Sequence, residues 1–110
     1  MRHDIHLKVS SRTKLNFAHA QKVSQTHLRL LYIKNNVSYP RIAIQITKKA
    51  VKLAVIRNRI RRTIRESFRS QLTALGPYDI LVLITSKISS EKHEISDILM
   101  QEWKLSIKSL

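Results

Sequence analysis

The sequence predicts an α+β fold, an α-β-β-α-β-α sandwich in which helices pack on one small sheet. Three observations carry this reading. Two segments, His27 to Lys34 and Arg41 to Thr47, alternate their side chains with the period of a strand. From about Val55 to Leu75 the apolar period changes to that of a helix. Tyr78 to Thr85 is then continuously apolar, as a strand covered on both faces would be. The 110 residues suit a single domain spanning 1–110, and 43% hydrophobic residues suffice for a core despite the charge.

Each element has its own signals. Ser10-Ser11 is placed to cap a first helix running to about Lys22, with few apolar residues: Leu15, Phe17, Ala18 and Ala20. In the first strand Leu28, Leu30 and Tyr32 share one face, and Arg29, Leu31 and Ile33 the other. Asn35-Asn36 and Ser38-Tyr39-Pro40 mark a turn region. In the next strand Ile42, Ile44 and Ile46 oppose Arg41, Ala43, Gln45 and Thr47. These two strands predict an antiparallel hairpin with one buried and one partly polar face. Gly76-Pro77 is expected to stop the long helix, Gly as a left-handed cap and Pro as a block. Ser89 or Ser90 is positioned to cap a last helix, with Glu91 and Glu94 near its positive end. Its core stripe would be Ile95, Ile98, Leu99, Trp103 and Leu105.

Charge narrows the function. The net charge is +14, from 21 Lys and Arg against 7 Asp and Glu. Residues 1–69 hold 17 of the basic and 2 of the acidic side chains, so the excess lies wholly in the first part of the chain. Such asymmetry points to a polyanionic partner, nucleic acid before a membrane surface. The absence of cysteine excludes disulfides, thiol catalysis and cysteine-ligated zinc. No apolar run approaches the roughly 20 residues of a membrane span, and Met1-Arg2-His3-Asp4 leads into no apolar signal segment, so a cytoplasmic location is expected. No acidic pair or histidine cluster has a spacing suited to catalysis, so no catalytic residue and no metal site is assigned. His3, Asp4 and His6 read as a frayed terminus.

Six Arg and no Lys lie between positions 57 and 69. Arg59, Arg62, Arg65 and Arg69 form a guanidinium ladder on the outer helix face, against one acid, Glu66. A solvated face mixes signs; this one suits phosphate, which arginine grips bidentately. Arg57 does not fit, because it projects between Ile64 and Phe68 inside the apolar arc. Either the helix has not begun there, or Arg57 points into a cleft beside the sheet. A buried Arg needs a partner: a phosphate of a second nucleic-acid segment, or an internal carbonyl or acid such as Asp79.

The run TKKAVKLAVIRNRIRRTIRESFR, Thr47 to Arg69, resembles the signature of the protein subunit of bacterial ribonuclease P. The matching residues are Lys48-Lys49, Ala54-Val55, Arg57-Asn58-Arg59, Arg61-Arg62 and Arg65-Glu66, with RIAIQIT and YDILVLIT where the family has strands. The resemblance implies a small mixed sheet, with room for a fourth short strand, and a left-handed β-α-β crossover like that of ribosomal protein S5 domain 2. It implies a non-catalytic protein subunit of an RNA-based endoribonuclease, a hydrolase that removes the 5′ leader of precursor tRNA. The catalytic RNA would do the chemistry with Mg2+. Lys48, Lys49, Lys52, Asn58, Arg59, Arg62, Arg65 and Arg69 would meet the catalytic RNA. Phe17, Tyr32, Gln45, Arg57 and Arg61 would line the leader cleft between the first helix and the sheet. The expected partners are therefore the catalytic RNA and precursor tRNA, with the free protein a monomer and no membrane involved.

Three positions depart from the family pattern. Thr13 or Leu15 stands where a second aromatic is common in the first helix, Ala50-Val51-Lys52-Leu53 where a Gly is common after the Lys pair, and Arg61 where Lys is usual. A structural ribosomal protein of similar fold is the rival reading; the Arg57-Asn58-Arg59 motif with its downstream pattern discriminates against it.

Overall fold

The structure is a computed structural model and describes residues 5–7, 17–89 and 92–110. Six elements follow in order: β1 (Gln21–Ser24), β2 (Leu28–Lys34), β3 (Arg41–Ile46), α1 (Ala54–Arg69), β4 (Tyr78–Ile84) and α2 (Lys92–Ile107). The strands form one mixed sheet in the order β1-β2-β4-β3. β1 and β4 are antiparallel to β2, while β3 and β4 run parallel through the α1 connection.

The expected hairpin of β2 and β3 is corrected by this order. β4 lies between them, because its run of Ile80, Leu81, Val82 and Ile84 is buried on both faces and only a central position covers both. The 35–40 segment therefore crosses the end of β4, and Asp79 holds it there. Arg41 donates to both Asp79 oxygens at 2.8 Å, and Asn35 Nδ2 donates to Oδ1 at 3.1 Å. Asp79 thus partners Arg41, not Arg57.

Most of the predicted first helix lies outside the described residues, but its predicted end does not. Residues 17–19 form a turn, and Gln21–Ser24 is the edge strand β1. Val23 is the sole apolar residue of β1, which leaves almost no alternation to read. Of the expected frayed terminus, His3 and Asp4 lie outside the described residues, while His6 sits in an ordered bridge. Ile5 is buried, and residues 5–7 bond to the outer edge of β3 through Leu7 N–H to Ile42 O (2.9 Å) and Ile42 N–H to Ile5 O (2.8 Å).

The main core lies on one sheet face. Leu28, Leu30, Ile42, Ile44, Ile46, Ile80, Val82 and Ile84 meet Ile60, Ile64 and Phe68 of α1 and Ile95, Leu99, Trp103 and Ile107 of α2. Trp103 is fully buried, and its indole N–H donates to Ser67 Oγ at 2.9 Å, which ties the two helices. Leu105, expected in the stripe, is 55% exposed; Ser106 and Ile107 take the buried positions.

The helix α1 ends at Arg69, six residues before the predicted Leu75. Irregular turns carry residues 70–75, yet Leu72 and Leu75 still pack on the core, so the apolar period outlasts the helix. Gly76 does not adopt a left-handed conformation. Its role is space: a Cβ there would meet Tyr78 Cε2 at 2.9 Å. The 50–53 segment likewise needs no positive φ, so the missing family glycine costs it nothing there.

Candidate nucleic-acid interface

Local sequence explains how α1 begins. Leu53 at its N-cap makes no side-chain bond, and the first turn carries no acid. Arg57 instead donates through Nη1 to the carbonyls of Val51 (2.9 Å) and Lys52 (2.8 Å). Of the alternatives for Arg57, the internal carbonyl is the one the structure shows. The helix has begun, and Arg57 fastens the entering segment. The positive end of the helix dipole is left uncompensated by any acid, beside exposed Lys48, Lys49 and Lys52.

Further along, Asn58, Arg61, Arg62, Arg65, Glu66 and Arg69 line one hollow of about 410 Å³ together with His6. His6 is brought there by the β-bridge to β3, a position signalled by the Ile5-His6-Leu7 alternation that the sequence reading passed over. Arg57, Arg61 and Arg65 follow a turn apart on the helix. Burial, then the like charges of Arg57 and Arg65, push the Arg61 pKa down. Arg61 also donates to Asn58 Oδ1 at 3.0 Å. Arg65 Nε is buried with no hydrogen-bond partner among the described residues. A wall that repels itself and holds an unmet donor favours an incoming anion.

The second surface is the other sheet face. Cross-strand register stacks it in rows: Ser24, Arg29, Leu83 and Gln45; then Lys22, Leu31, Leu81 and Ala43; then Ile33, Asp79 and Arg41. Phe17, Ala43 and Leu81 are its buried centre, with Leu7, Ala20, Leu31, Ile33 and Leu83 partly buried around them. Lys22 and Arg29 are exposed beside this apolar floor.

The predicted site residues divide between these places. Asn58, Arg62, Arg65 and Arg69 come together as expected, and exposed Lys48, Lys49, Lys52 and Arg59 flank them along the same stretch of chain. The expected leader group does not come together. Phe17 and Gln45 lie on the second sheet face, while Tyr32 lies on the helix-bearing face with Leu28 and Leu30. Arg57 and Arg61 sit on a helix packed against that same helix-bearing face, and Arg61 joins the arginine hollow. The Phe17 ring is itself 6% exposed, so it forms wall more than platform. Arg29, Leu31 and Leu83 were missed as second-face residues, although the alternation of β2 already placed Arg29 and Leu31 together. Among the described residues, no group of three or more His, Cys, Asp or Glu could hold a metal ion. Nor is any described helix long and apolar enough to cross a membrane.

A helix-armoured mixed sheet with an arginine hollow at one edge and an apolar, cation-rimmed second face defines an RNA-binding α+β protein. The ribonuclease P family model matches residues 1–105. The chain is 42% identical over 83 residues to the ribonuclease P protein component of Nitrosococcus oceani, covering 76% of this chain and 68% of that protein. It is 38% identical over 89 residues to that of Pseudomonas paraeruginosa, covering 80% and 66%. It thus spans about two thirds of the length of these relatives. The fold resembles the Staphylococcus aureus RNase P protein (TM-score 0.73, 20% identity, 97% of this chain and 92% of that one). It also resembles that of Thermotoga maritima (TM-score 0.66, 23% identity, 90% and 94%). The chain belongs to the bacterial ribonuclease P protein family: it is the protein component of a ribonucleoprotein endoribonuclease and not its catalytic part.

Proposed function

We propose that the two surfaces serve two RNAs. The arginine hollow and the lysines at the start of α1 bind the catalytic RNA through its phosphates. The second sheet face binds the single-stranded 5′ leader of precursor tRNA. Leu31, Ile33 and Leu83 would lie under the bases, Lys22 and Arg29 would meet the phosphates, and Gln45 would offer an amide. Apolar contact accepts any base, which suits leaders of varied sequence. Arg57 would act by holding the entry to α1.

The observation that carries this reading is the second sheet face, an apolar floor with cationic margins set apart from the arginine hollow. Magnesium would act in the catalytic RNA, as the family resemblance implies. The protein would work as a monomer in the cytoplasm. The test is leader removal by the catalytic RNA at low magnesium, with and without the protein. The reading expects acceleration; no acceleration, with stable ribosome co-sedimentation instead, overturns it.

A further inference from the structure

A third feature lies at the end of the sheet and shares Ile33 with the second face. A cavity of about 460 Å³ at the end of the sheet is lined by His19, Gln21, Tyr32, Ile33, Lys34 and Tyr78. Register explains its composition. Gln21 pairs with Tyr32 and Lys34 with Tyr78, and all four project from the helix-bearing face. Tyr32 and Tyr78 meet edge to face, with centroids 5.4 Å apart and planes at 86°. Both are half-buried, and neither hydroxyl has a hydrogen-bond partner among the described groups. Gly76 makes room for the Tyr78 ring, since a Cβ there would stand 2.9 Å from it.

We infer that this pocket takes one unpaired nucleobase of the catalytic RNA. Two rings offer a stacking surface, the Gln21 amide and the free hydroxyls can meet a base edge, and Lys34 stands ready for the attached phosphate. No acid lines the cavity to repel RNA. The choice of RNA follows from the sheet. Gln21, Tyr32, Lys34 and Tyr78 stand on the side that carries α1, the proposed catalytic-RNA wall, and Ile33 of the opposite face only closes the pocket at the end of the sheet. This assigns Tyr32 to assembly and not to leader binding, against what the family resemblance implies. The inference rests on the catalytic RNA being the partner of α1.

The test is the affinity of the full-length protein for the catalytic RNA, then of the assembled holoenzyme for precursor and mature tRNA. Tyr32→Leu keeps apolar bulk against the core but removes the ring. It should weaken assembly about five- to a hundredfold, the range of one base–aromatic stack. Tyr32→Phe should restore assembly to within about twofold, because stacking needs only the ring. Gly76→Ala, which displaces the Tyr78 ring without removing a lining group, should also weaken assembly. Thermal unfolding reports folding, and Lys34→Gln, exposed and outside the core, tests the pocket if a core variant does not fold. Unchanged assembly for all variants overturns the inference, as does a loss confined to leader-bearing substrate. Arg62→Ala separates the two levels. If it weakens assembly and the pocket variants do not, only the pocket fails; if it too has no effect, the reading of α1 fails with it.

Discussion

Replacing Glu102 with Ala should unfasten the start of β2, the strand that feeds both sheet faces. Glu102 lies on α2 and is 8% exposed. Its Oε1 accepts the backbone N–H groups of His27 (2.7 Å) and Leu28 (2.9 Å), and Oε2 pairs with His27 Nδ1 at 2.7 Å. Hydrogen bonds to a charged group contribute about 1.5–3 kcal/mol each. The Leu28 bond is buried and loses its partner outright, whereas the part-buried His27 groups recover some hydration. A net loss of about 3–5 kcal/mol follows, a large share of the roughly 5–15 kcal/mol that holds a domain together. At about 4–8 °C per kcal/mol for a domain near this size, the midpoint should fall by at least about 12 °C. Glu102→Gln keeps one acceptor oxygen and should cost less than half as much. Urea titration and thermal scans measure both. If Glu102→Ala unfolds within about 0.5 kcal/mol of the parent, the scale of a surface substitution, the clamp contributes nothing and the reasoning is wrong.

Three further outcomes are expected. Arg62→Ala and Arg65→Ala should each weaken binding to the catalytic RNA and lower the slope of log affinity against log salt by about 0.7–0.9; an unchanged slope would mean that these groups meet no phosphate. Asp79→Ala should destabilise by about 2–4 kcal/mol in urea titration, since the bidentate Arg41 pair and the Asn35 bond go together. Trp103→Phe should cost about 1–2 kcal/mol through loss of the Ser67 bond and of ring volume, again read from urea titration.

The parts legible in the sequence were those with a long period on a single face. Ile60, Ile64 and Phe68 marked the buried side of α1, and Ile42, Ile44 and Ile46 that of β3, because each repeat is dictated by one core. The order of strands was not legible. Alternation gives each strand two faces but no neighbour, and only burial of β4 on both sides decides that it parts β2 from β3. β1 escaped because an edge strand with one apolar residue gains its order from hydrogen bonds to β2. The site suffered from the same ambiguity. The alternation of β2 placed Tyr32 opposite Leu31, yet the family resemblance put Tyr32 in the cleft with Phe17, and the sheet separates the two. Arg57 was singled out correctly as anomalous, but its partners, two carbonyls just upstream, depend on a backbone path that no periodicity encodes.

The division of labour between two faces is tested most directly by the affinity of the holoenzyme for precursor relative to mature tRNA when Leu31 is replaced by Ser. Leu31 sits on the second face, with Leu81 and Lys22 as its cross-strand neighbours and α1 on the far side of the sheet. The account predicts that the preference for leader-bearing substrate falls by about fivefold, the worth of a lost apolar contact of ~1 kcal/mol, while affinity for the catalytic RNA stays the same. An unchanged preference, or an equal loss in binding the catalytic RNA, would contradict it.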